Sequence, residues 1–257
     1  QVGRVFGICV EKHSEADYEK KYKGRFVFGG DYVLDEYAEK GLFNDLSSNP
    51  ATIEAAKAVD MYGLIHGHSI DIADAVQAYI QAKLGTTVKD KDGNIIKVTT
   101  WVRLPPEYAP ESFKKMNDPV VRLVLALYGH PDSGGYWERH CEQQIARCGF
   151  VPIPNWKSLY WSARLRILLM TYVDDFKMSG PKKELAQAWK EIRKYITLED
   201  PQPIARYLGC YHRIKKERVN NREVNVMEYD MTDFMKQCVE SYITLAGGPD
   251  KVKLRKV

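Results

Sequence analysis

The stretch that decides the fold is Ile167-Leu-Leu-Met-Thr-Tyr-Val-Asp-Asp-Phe-Lys-Met-Ser-Gly180. It places two adjacent carboxylates, Asp174 and Asp175, directly after a run of apolar, strand-forming residues. A desolvated carboxylate pair repels itself unless a cation or a strong donor lies beside it, and divalent magnesium is the obvious candidate. The alternative is an ordinary hairpin turn, because Asp favours tight turns between strands.

A second acidic segment is Ser69-Ile-Asp-Ile-Ala-Asp-Ala-Val-Gln-Ala-Tyr-Ile-Gln-Ala82. If Asp174 and Asp175 belong to a site for two metal ions, a further carboxylate ligand must come from a separate segment of the chain, and this segment is the candidate. Asp71 and Asp74 both qualify. They lie three residues apart, and on a strand of period two they face opposite sides, so only one of them can point at the site.

The rest of the pattern mixes helices with hairpins. Asn49-Pro50 predicts a helix to about Ile65, with Asn49 as the N-cap. Asp92-Gly93-Asn94 predicts one hairpin, and Leu159 to Arg164 paired with Arg166 to Val173 predicts another that delivers the acid pair. Helices are also predicted from Tyr136 to about Cys148, from Pro181 through Ile196 and from Thr232 to about Leu245, with a hairpin around Asn220-Asn221. Prominent hairpins favour an α+β fold with an antiparallel sheet over a doubly wound parallel one.

The length and composition bound the class of protein. A chain of 257 residues can bury a sizeable core, as one large domain or two smaller ones. Apolar runs such as Ile167 to Met170 are far short of the roughly 20 residues that cross a bilayer, so no membrane association is predicted. The start at Gln1, with no initiator Met and no long apolar core, indicates a piece cut from a longer polyprotein.

Cysteine and charge patterns add weaker constraints. Five scattered cysteines, an odd number without Cys-x-x-Cys spacing, predict reduced thiols in an intracellular compartment. His66 and His68 lie two apart near the acidic segment, a spacing that favours the polar start of a strand over a metal site. A net charge of +4 is compatible with binding to a phosphate backbone, although many soluble proteins are this basic.

In their order along the chain, these features resemble the reverse transcriptase of copia-type LTR retrotransposons, over nearly the whole sequence. Tyr172-Val173-Asp174-Asp175 is similar to the catalytic hairpin of that family, and Asp74-x-x-x-Ala-Tyr79 resembles its first catalytic motif. Tyr22 to Gly30 is similar to the opening fingers strand. Ala126-Leu-Tyr-Gly129 with Trp137 resembles the most diagnostic signature, and Tyr207-Leu-Gly209 the start of the primer-gripping hairpin.

The resemblance implies a right-hand polymerase: a palm whose antiparallel sheet carries the catalytic acids, with fingers and the start of a thumb. The implied division is fingers over 1–60 and 85–128, palm over 61–84 and 129–214, and the primer-grip hairpin with the start of the thumb over 215–257. The implied catalytic and metal-binding residues are Asp74, Asp174 and Asp175, with two Mg²⁺ ions, or Mn²⁺ in their place. The motif match is what favours Asp74 over Asp71.

The resemblance also implies nucleotide and primer contacts. Tyr79 would stack under the incoming sugar and occupy the space that a 2′-hydroxyl needs, and Lys23 and Arg25 would clamp the triphosphate. Asp132 stands where the family usually has a glutamine that helps position nucleotide and template, a departure that could weaken activity. Primer contacts would come from Tyr207, Leu208 and Gly209. From composition alone, Tyr79 also fits an ordinary half-buried aromatic residue, and Lys23 with Arg25 fits the solvated side of an edge strand.

The function implied is DNA synthesis on an RNA or DNA template with a primer and deoxynucleoside triphosphates. The implied setting is the cytoplasm, including virus-like particles, with RNase H and integrase elsewhere in the parent Pol polyprotein. One alternative is a catalytically inert or domesticated module that binds nucleic acid without extending it. Another is an RNA-templated RNA polymerase, which is less favoured because Tyr79 should block ribonucleotides.

Overall fold

The computed structural model of the protein describes residues 1–12, 21–35, 37–43, 50–89 and 92–252. Within these residues the chain is a mixed α+β protein with four α-helices and several sheets, which confirms the predicted fold class. It divides into two compact units, each made of three segments that alternate along the chain with those of the other. The first unit holds residues 1–50, 75–149 and 192–197, and the second holds 51–74, 150–191 and 198–257.

The described residues form 15 β-strands, four α-helices and four short 3₁₀ turns. The strands are β1 Val2–Lys12, β2 Lys21–Phe28, β3 His68–Asp74, β4 Thr87–Lys89, β5 Ile95–Lys97, β6 Trp101–Arg103, β7 Val121–Arg122, β8 Val151–Pro152, β9 Leu159–Ser162, β10 Ile167–Tyr172, β11 Asp175–Pro181, β12 Gln202–Pro203, β13 Arg206–Tyr207, β14 Cys210–Val219 and β15 Arg222–Asp230. The helices are α1 Ile53–Gly63, α2 Ser133–Arg147, α3 Lys182–Ile192 and α4 Thr232–Leu245, with short 3₁₀ turns at Ala78–Gln81, Pro106–Tyr108, Glu111–Lys115 and Pro249–Lys251.

The first unit is built on a four-stranded sheet in the order β2-β1-β6-β7. The long strands β1 and β2 pair antiparallel, whereas β1 and β6 run parallel. Phe28, Val33 and Val102 form its buried apolar cluster. The predicted hairpin at Asp92-Gly93-Asn94 is present as the antiparallel pair β4 and β5.

Helix α2 of the first unit starts earlier than its apolar pattern predicted. It begins at Ser133 rather than Tyr136. The Ser133 hydroxyl accepts a hydrogen bond from the backbone N–H of Leu127 at 2.9 Å and donates to the Leu127 carbonyl at 2.8 Å. This pair of bonds fastens the first helical turn to the preceding loop, which the helical periodicity of the sequence does not encode.

The second unit is built on a six-stranded sheet in the order β12-β3-β11-β10-β9-β8. Every strand pair in it is antiparallel, as predicted. Helix α1 packs on the face that carries Ile72 and Lys177. The predicted hairpin between Leu159 to Arg164 and Arg166 to Val173 is present as β9 and β10.

The ends of two helices in the second unit differ from the prediction. Helix α1 begins at Ile53, where the Thr52 hydroxyl accepts from the Ala55 N–H at 3.2 Å, so Thr52 is the N-cap. Asn49, predicted as the cap, lies outside the described residues. Helix α3 begins at Lys182 rather than Pro181, because Pro181 is still paired with His68 in the sheet. It ends at Ile192, before the predicted Ile196.

A three-stranded sheet, β13-β14-β15, and helix α4 complete the second unit. The turn between β14 and β15 is at Asn220 and Asn221, both with positive φ, which confirms the hairpin predicted there. Helix α4 runs from Thr232 to Leu245 as predicted and has no buried residue.

Two further expectations concern the whole chain. All five cysteines are free thiols, in agreement with the prediction of reduced cysteines. No helix among the described residues has both the length and the apolar character to span a membrane. The assignment of fingers, palm and thumb to segments of the chain stays a prediction.

Candidate active site

Strand pairing in the second unit brings two of the predicted acids directly opposite each other. Asp74, the last residue of β3, is the register partner of Asp175, the first residue of β11. Asp175 in turn pairs with Tyr172 across the β10–β11 hairpin, so Val173 and Asp174 form its two-residue turn. Three carboxylates from segments a hundred residues apart therefore gather at one end of the sheet.

The turn that presents Asp174 is strained. Val173 has φ +56°, in the left-handed region that a β-branched residue rarely adopts. Two-residue hairpins require positive φ at one or both turn positions, and glycine or asparagine usually supplies it. A β-branched residue in this conformation indicates that the surrounding sheet holds the turn in place, a type of strain that concentrates at functional sites.

The three acids are close enough to change the pKa of one of them. Burial, together with the charges of Asp74 and Asp174 and a hydrogen bond with Asp74, raises the pKa of Asp175 to about 7. Asp74 is exposed, and Asp174 and Asp175 are half-buried. A group of carboxylates that raises the pKa of one member in this way is a site that a cation would stabilise.

Asp71, the competitor of Asp74, lies away from this cluster. It pairs with Met178 and Pro203, and its side chain points to the sheet face where Trp189 of α3 packs. Burial raises its pKa, and the Trp189 indole and the charge of Lys182 oppose the shift. The structure thus brings Asp74, Asp174 and Asp175 together and separates Asp71 from them, while their catalytic and metal-binding roles stay predictions.

No preformed metal cage accompanies the acids. Within the described ranges, no three His, Cys, Asp or Glu side chains already surround a single point as ligands. His68 is used structurally: its Nδ1–H donates to the Tyr62 carbonyl at 2.9 Å and its ring packs edge-on against Tyr62. The donors at the acid cluster are carboxylate oxygens, the type that Mg²⁺ and Mn²⁺ prefer.

A buried ion pair lies on the α1 side of the same sheet. Lys177, two residues after Asp175 on β11, is fully buried, and its Nζ donates to Asp60 Oδ1 of α1 at 2.9 Å and to the Ala56 carbonyl at 3.2 Å. Asp60 also accepts from the Tyr229 hydroxyl at 3.0 Å, and His212 Nε2 lies 3.6 Å from it. Asp60 therefore joins α1 to the central sheet and to the β13–β15 sheet.

The pKa of Asp60 is lowered despite its burial. Burial alone would raise the pKa of Asp60, but the neighbouring His212 and the charge and hydrogen bond of Lys177 outweigh it and lower the pKa. Burial lowers the pKa of Lys177, and Asp60 opposes that shift. Removing either partner would leave the other as an uncompensated buried charge.

No sequence motif includes Asp60 and Lys177 as a pair, although the sequence does carry a signal for both. Asp60 falls on the apolar face of α1, next to the buried Val59, and Lys177 lies between the buried Phe176 and Met178 of an apolar strand. Opposite charges inside two apolar elements indicate a buried pair, because neither charge could be desolvated alone. Which elements pack together is a tertiary fact that the sequence pattern does not supply.

In the first unit, three of the predicted nucleotide-binding residues are at least partly accessible. Lys23 and Arg25 are exposed and two apart on β2, so they share one face of the strand. The Arg25 guanidinium lies 5.3 Å from the ring centre of Tyr128, and Tyr128 lies 4.5 Å from the ring centre of the half-buried Tyr79. Tyr79 is in a 3₁₀ turn rather than a strand. Tyr128 belongs to the signature Ala126-Leu-Tyr-Gly129, and the family resemblance implies no role for its side chain.

Asp132 and the predicted primer contacts occupy different environments. Asp132 is buried, with 2% of its surface exposed, at the start of α2. Leu208 and Gly209, both with positive φ, form the exposed turn between β13 and β14, whereas Tyr207 is buried. Nucleotide binding by Asp132 and primer contact by Tyr207, Leu208 and Gly209 stay predictions.

Comparison with known proteins gives partial matches. No model of a protein family matches the chain. The transposon Ty1-BL and Ty1-DR4 Gag-Pol polyproteins of Saccharomyces cerevisiae are each 26% identical over 155 residues, which is 60% of this chain and 8% of the polyprotein. The chain therefore spans less than a tenth of the length of the curated relatives it matches. A structure of apo telomerase from Candida tropicalis, truncated from its C-terminal domain, aligns with a TM-score of 0.42 at 13% identity, over 89% of this chain and 55% of that one.

Proposed function

We propose that the chain is the reverse transcriptase part of a retrotransposon polyprotein, an RNA-directed DNA polymerase that extends a primer on an RNA or DNA template. The observation that carries the proposal is the register pairing of Asp74 with Asp175, with Asp174 on the strained turn beside them. The sequence similarity to transposon Gag-Pol polyproteins supports it independently.

The proposed chemistry is two-metal nucleotidyl transfer. Asp74, Asp174 and Asp175 would hold two Mg²⁺ ions, and the repulsion that raises the pKa of Asp175 to about 7 fits a site completed by cations. When bound, such ions lower the pKa of the primer 3′-hydroxyl and neutralise the departing pyrophosphate. The part of the chain itself is to hold its carboxylates rigidly on paired strands, because preorganised charge avoids reorganisation during the reaction.

The finer assignments belong to the same proposal. Palm, fingers and the start of a thumb are the names that the family resemblance gives to the segments of this chain. Lys23, Arg25 and Asp132 are proposed to act in nucleotide binding, and Tyr79 to exclude ribonucleotides. Deoxynucleoside triphosphates and a primed template are the proposed substrates, and RNase H and integrase are proposed as other parts of the parent polyprotein.

Primer extension on a primed RNA template tests the proposal. We expect Asp174→Asn and Asp74→Asn each to lower Mg²⁺-dependent incorporation at least about a hundredfold, because a metal ligand contributes several kcal/mol to the transition state. Asp71→Asn is the matched control: it removes a carboxylate from the same strand on the opposite face and should leave incorporation within about twofold of the wild type.

The outcomes separate the proposal from its rival. Equal incorporation by the wild type and Asp174→Asn would remove the catalytic assignment. Salt-sensitive binding of primed template by a folded chain that extends nothing would favour an inert nucleic-acid-binding module. Preferential incorporation of ribonucleotides would instead indicate an RNA polymerase.

A further inference from the structure

Tyr207 occupies a place that its predicted primer contact does not explain. It ends β13 and is 5% exposed. Its ring belongs to the apolar cluster of Ala55, Val59, Leu159 and Met170 between α1 and the central sheet. Unlike the exposed Leu208 that follows it, Tyr207 points into the second unit.

The two ends of the Tyr207 side chain meet different groups. The face of its ring lies 4.7 Å from Nζ of Lys177, and its hydroxyl lies 3.5 Å from the backbone carbonyl of Asp175. Burial, followed by the charges of Asp175, Asp60 and Asp74, raises the pKa of the phenol, so the hydroxyl keeps its proton and can donate. Tyr207 therefore spans the distance from the buried ammonium to the first residue of β11.

The ammonium under the ring is fixed by its own partners. Lys177 Nζ is bonded to Asp60 Oδ1 and to the Ala56 carbonyl, and its side chain has no exposed surface. A cation over an aromatic face is attracted more strongly when water is excluded. The Lys177–Asp60 pair thus provides a rigid platform for the Tyr207 ring.

The acid cluster needs such support. Its turn contains a strained Val173, and Asp74 and Asp175 are placed directly opposite each other by the register of β3 and β11, so that two like charges face each other. Both effects favour opening of the hairpin end. Metal-binding constellations must be held within about 0.5 Å of the productive geometry by neighbouring groups that are themselves locked by packing and hydrogen bonds.

We propose that Tyr207 is a positioning residue for Asp175: its hydroxyl holds the Asp175 carbonyl, and the buried Lys177–Asp60 pair holds its ring. This rests on the proposed function in so far as Asp175 is a metal ligand. The contact to the hairpin backbone exists whether or not the chain extends a primer, so it can be tested separately.

The test compares two tyrosines whose hydroxyls face backbone carbonyls at opposite ends of the β10–β11 hairpin. Tyr207→Phe removes the hydroxyl that faces Asp175 and keeps the ring. Tyr62→Phe is the matched control, because the Tyr62 hydroxyl donates to the Arg166 carbonyl at 2.9 Å, just before β10 begins. Three quantities are measured on each protein: amide hydrogen exchange over 172–176 without metal, Mn²⁺ affinity by calorimetry, and primer extension.

For Tyr207→Phe we expect faster hydrogen exchange at the hairpin and Mn²⁺ affinity lowered about two- to tenfold, the equivalent of one hydrogen bond. We expect kcat of primer extension to fall by a similar factor with KM for the nucleotide unchanged. Tyr62→Phe should leave all of these at the wild-type values. A second variant, Asp60→Leu with Lys177→Met, removes the platform without leaving a buried charge and should also speed exchange at the hairpin.

Unchanged hydrogen exchange and unchanged Mn²⁺ affinity in Tyr207→Phe would overturn the positioning role, whatever the polymerase assay shows. Equal acceleration of exchange across the whole sheet in both tyrosine variants would also overturn it, because general loosening would then explain the effect. Absence of primer extension by the wild type would count against the proposed function only. The exchange comparison needs neither metal nor primer and would still decide the role of Tyr207.

Discussion

Asp175 is the acid of the cluster whose pKa is raised. It is half-buried, pairs with Asp74 across two strands and follows Asp174 on the turn, so its charge is disfavoured by burial and by both neighbours. Its pKa of about 7 means that a neutral solution holds it partly protonated in the absence of metal. Metal binding would then release a proton from this group.

A first prediction concerns stability and pH. The folded-state pKa of Asp175 is raised from 3.8 to about 7, so the folded protein binds the proton more tightly than the unfolded chain does. The unfolding free energy of the metal-free protein should therefore fall as pH rises from about 4 to about 7, the opposite of a salt-bridged carboxylate. We expect Asp175→Asn to be more stable than the wild type at pH 8 by about 1 kcal/mol, a value reduced for solvent screening at this half-exposed site.

Urea unfolding in the presence of EDTA at pH 5 and pH 8 checks this prediction. The comparison of the variant with the wild type at each pH cancels the contribution of the other titrating groups. Glu217→Gln, at an exposed position of β14, provides the control. A variant that is less stable than the wild type at pH 8 would contradict the repulsion inferred among the three acids.

Strand β11 connects the acids to the support beneath them. Asp175 and Lys177 are two apart on one strand and so point to the same face, toward α1, while Phe176 and Met178 fill the opposite side. The strand thus carries a half-buried acid and a fully buried cation at successive positions on the face toward α1. Its register with β3 fixes both at once, since a slip of one residue would turn every side chain to the other face.

A second prediction separates the net effect of the buried ion pair from the cost of breaking it. Lys177→Met should destabilise the protein by about 3–5 kcal/mol, because it leaves Asp60 charged and buried without its main partner. The combined change Asp60→Leu with Lys177→Met should restore most of that loss, since apolar residues of similar volume replace both charges. Chemical unfolding of the single and double variants measures the difference. Destabilisation of the double variant equal to or greater than that of the single one would contradict the prediction.

A third prediction concerns the contact between α1 and β3. A Cβ atom at Gly63 would lie 2.1 Å from Cγ1 of the buried Ile70 and 3.2 Å from Cβ of Ser179. Gly63→Ala should therefore destabilise the protein by about 1–3 kcal/mol through overpacking, despite the better helix propensity of alanine. The difference between Lys57→Ala and Lys57→Gly, at an exposed position of the same helix, gives the helix propensity alone and is the suitable control. An alanine variant at 63 that is as stable as the wild type would show that the helix can move away at no cost.

Sequence patterns predicted the elements better than the contacts between them. The hairpins at 92–94, 159–173 and 220–221 follow from turn residues and alternation, which are local properties, and they are present. The N-cap of α1 is Thr52, whereas Asn49 was predicted. Several polar residues precede the helix, and only the folded backbone determines which of them caps it. The contacts of Lys177, Asp60 and Tyr207 could not be predicted, because their partners are distant in sequence. Tyr207 was predicted only as a primer contact.

The whole molecule is two units that share one chain. The acids and their support lie in the second unit, and Lys23, Arg25, Tyr79 and Asp132 lie in the first. The chain carries a net charge of +4 and exposed arginine and lysine side chains in both units. A protein that follows a primed template along its phosphate backbone would use such charges for affinity and the acids for chemistry.

A fourth prediction belongs to this scale. Binding of a primed RNA–DNA template should weaken at least about tenfold between 50 and 200 mM salt, the change expected when two or more phosphates are neutralised. Asp174→Asn should keep this affinity and its salt dependence, because the variant removes a negative charge and no phosphate contact. Fluorescence anisotropy with a labelled template measures both. Binding that is insensitive to salt would contradict a nucleic-acid substrate for either the polymerase or its inert rival.

The alternation of the two units along the chain also bears on how the protein matures during synthesis. The first unit needs residues 192–197 and the second needs residues 198–257, so the first is complete only after about three quarters of this chain has been synthesised, and the second only after the segment that follows residue 197. Domains that are contiguous in sequence finish folding one after another as they emerge, whereas here each unit waits for a segment that follows part of the other unit. The long strands β1 and β2 emerge before β6, the next strand of their sheet, and remain without it until about residue 103 has followed. Chaperone dependence during translation is therefore an expected property of this chain.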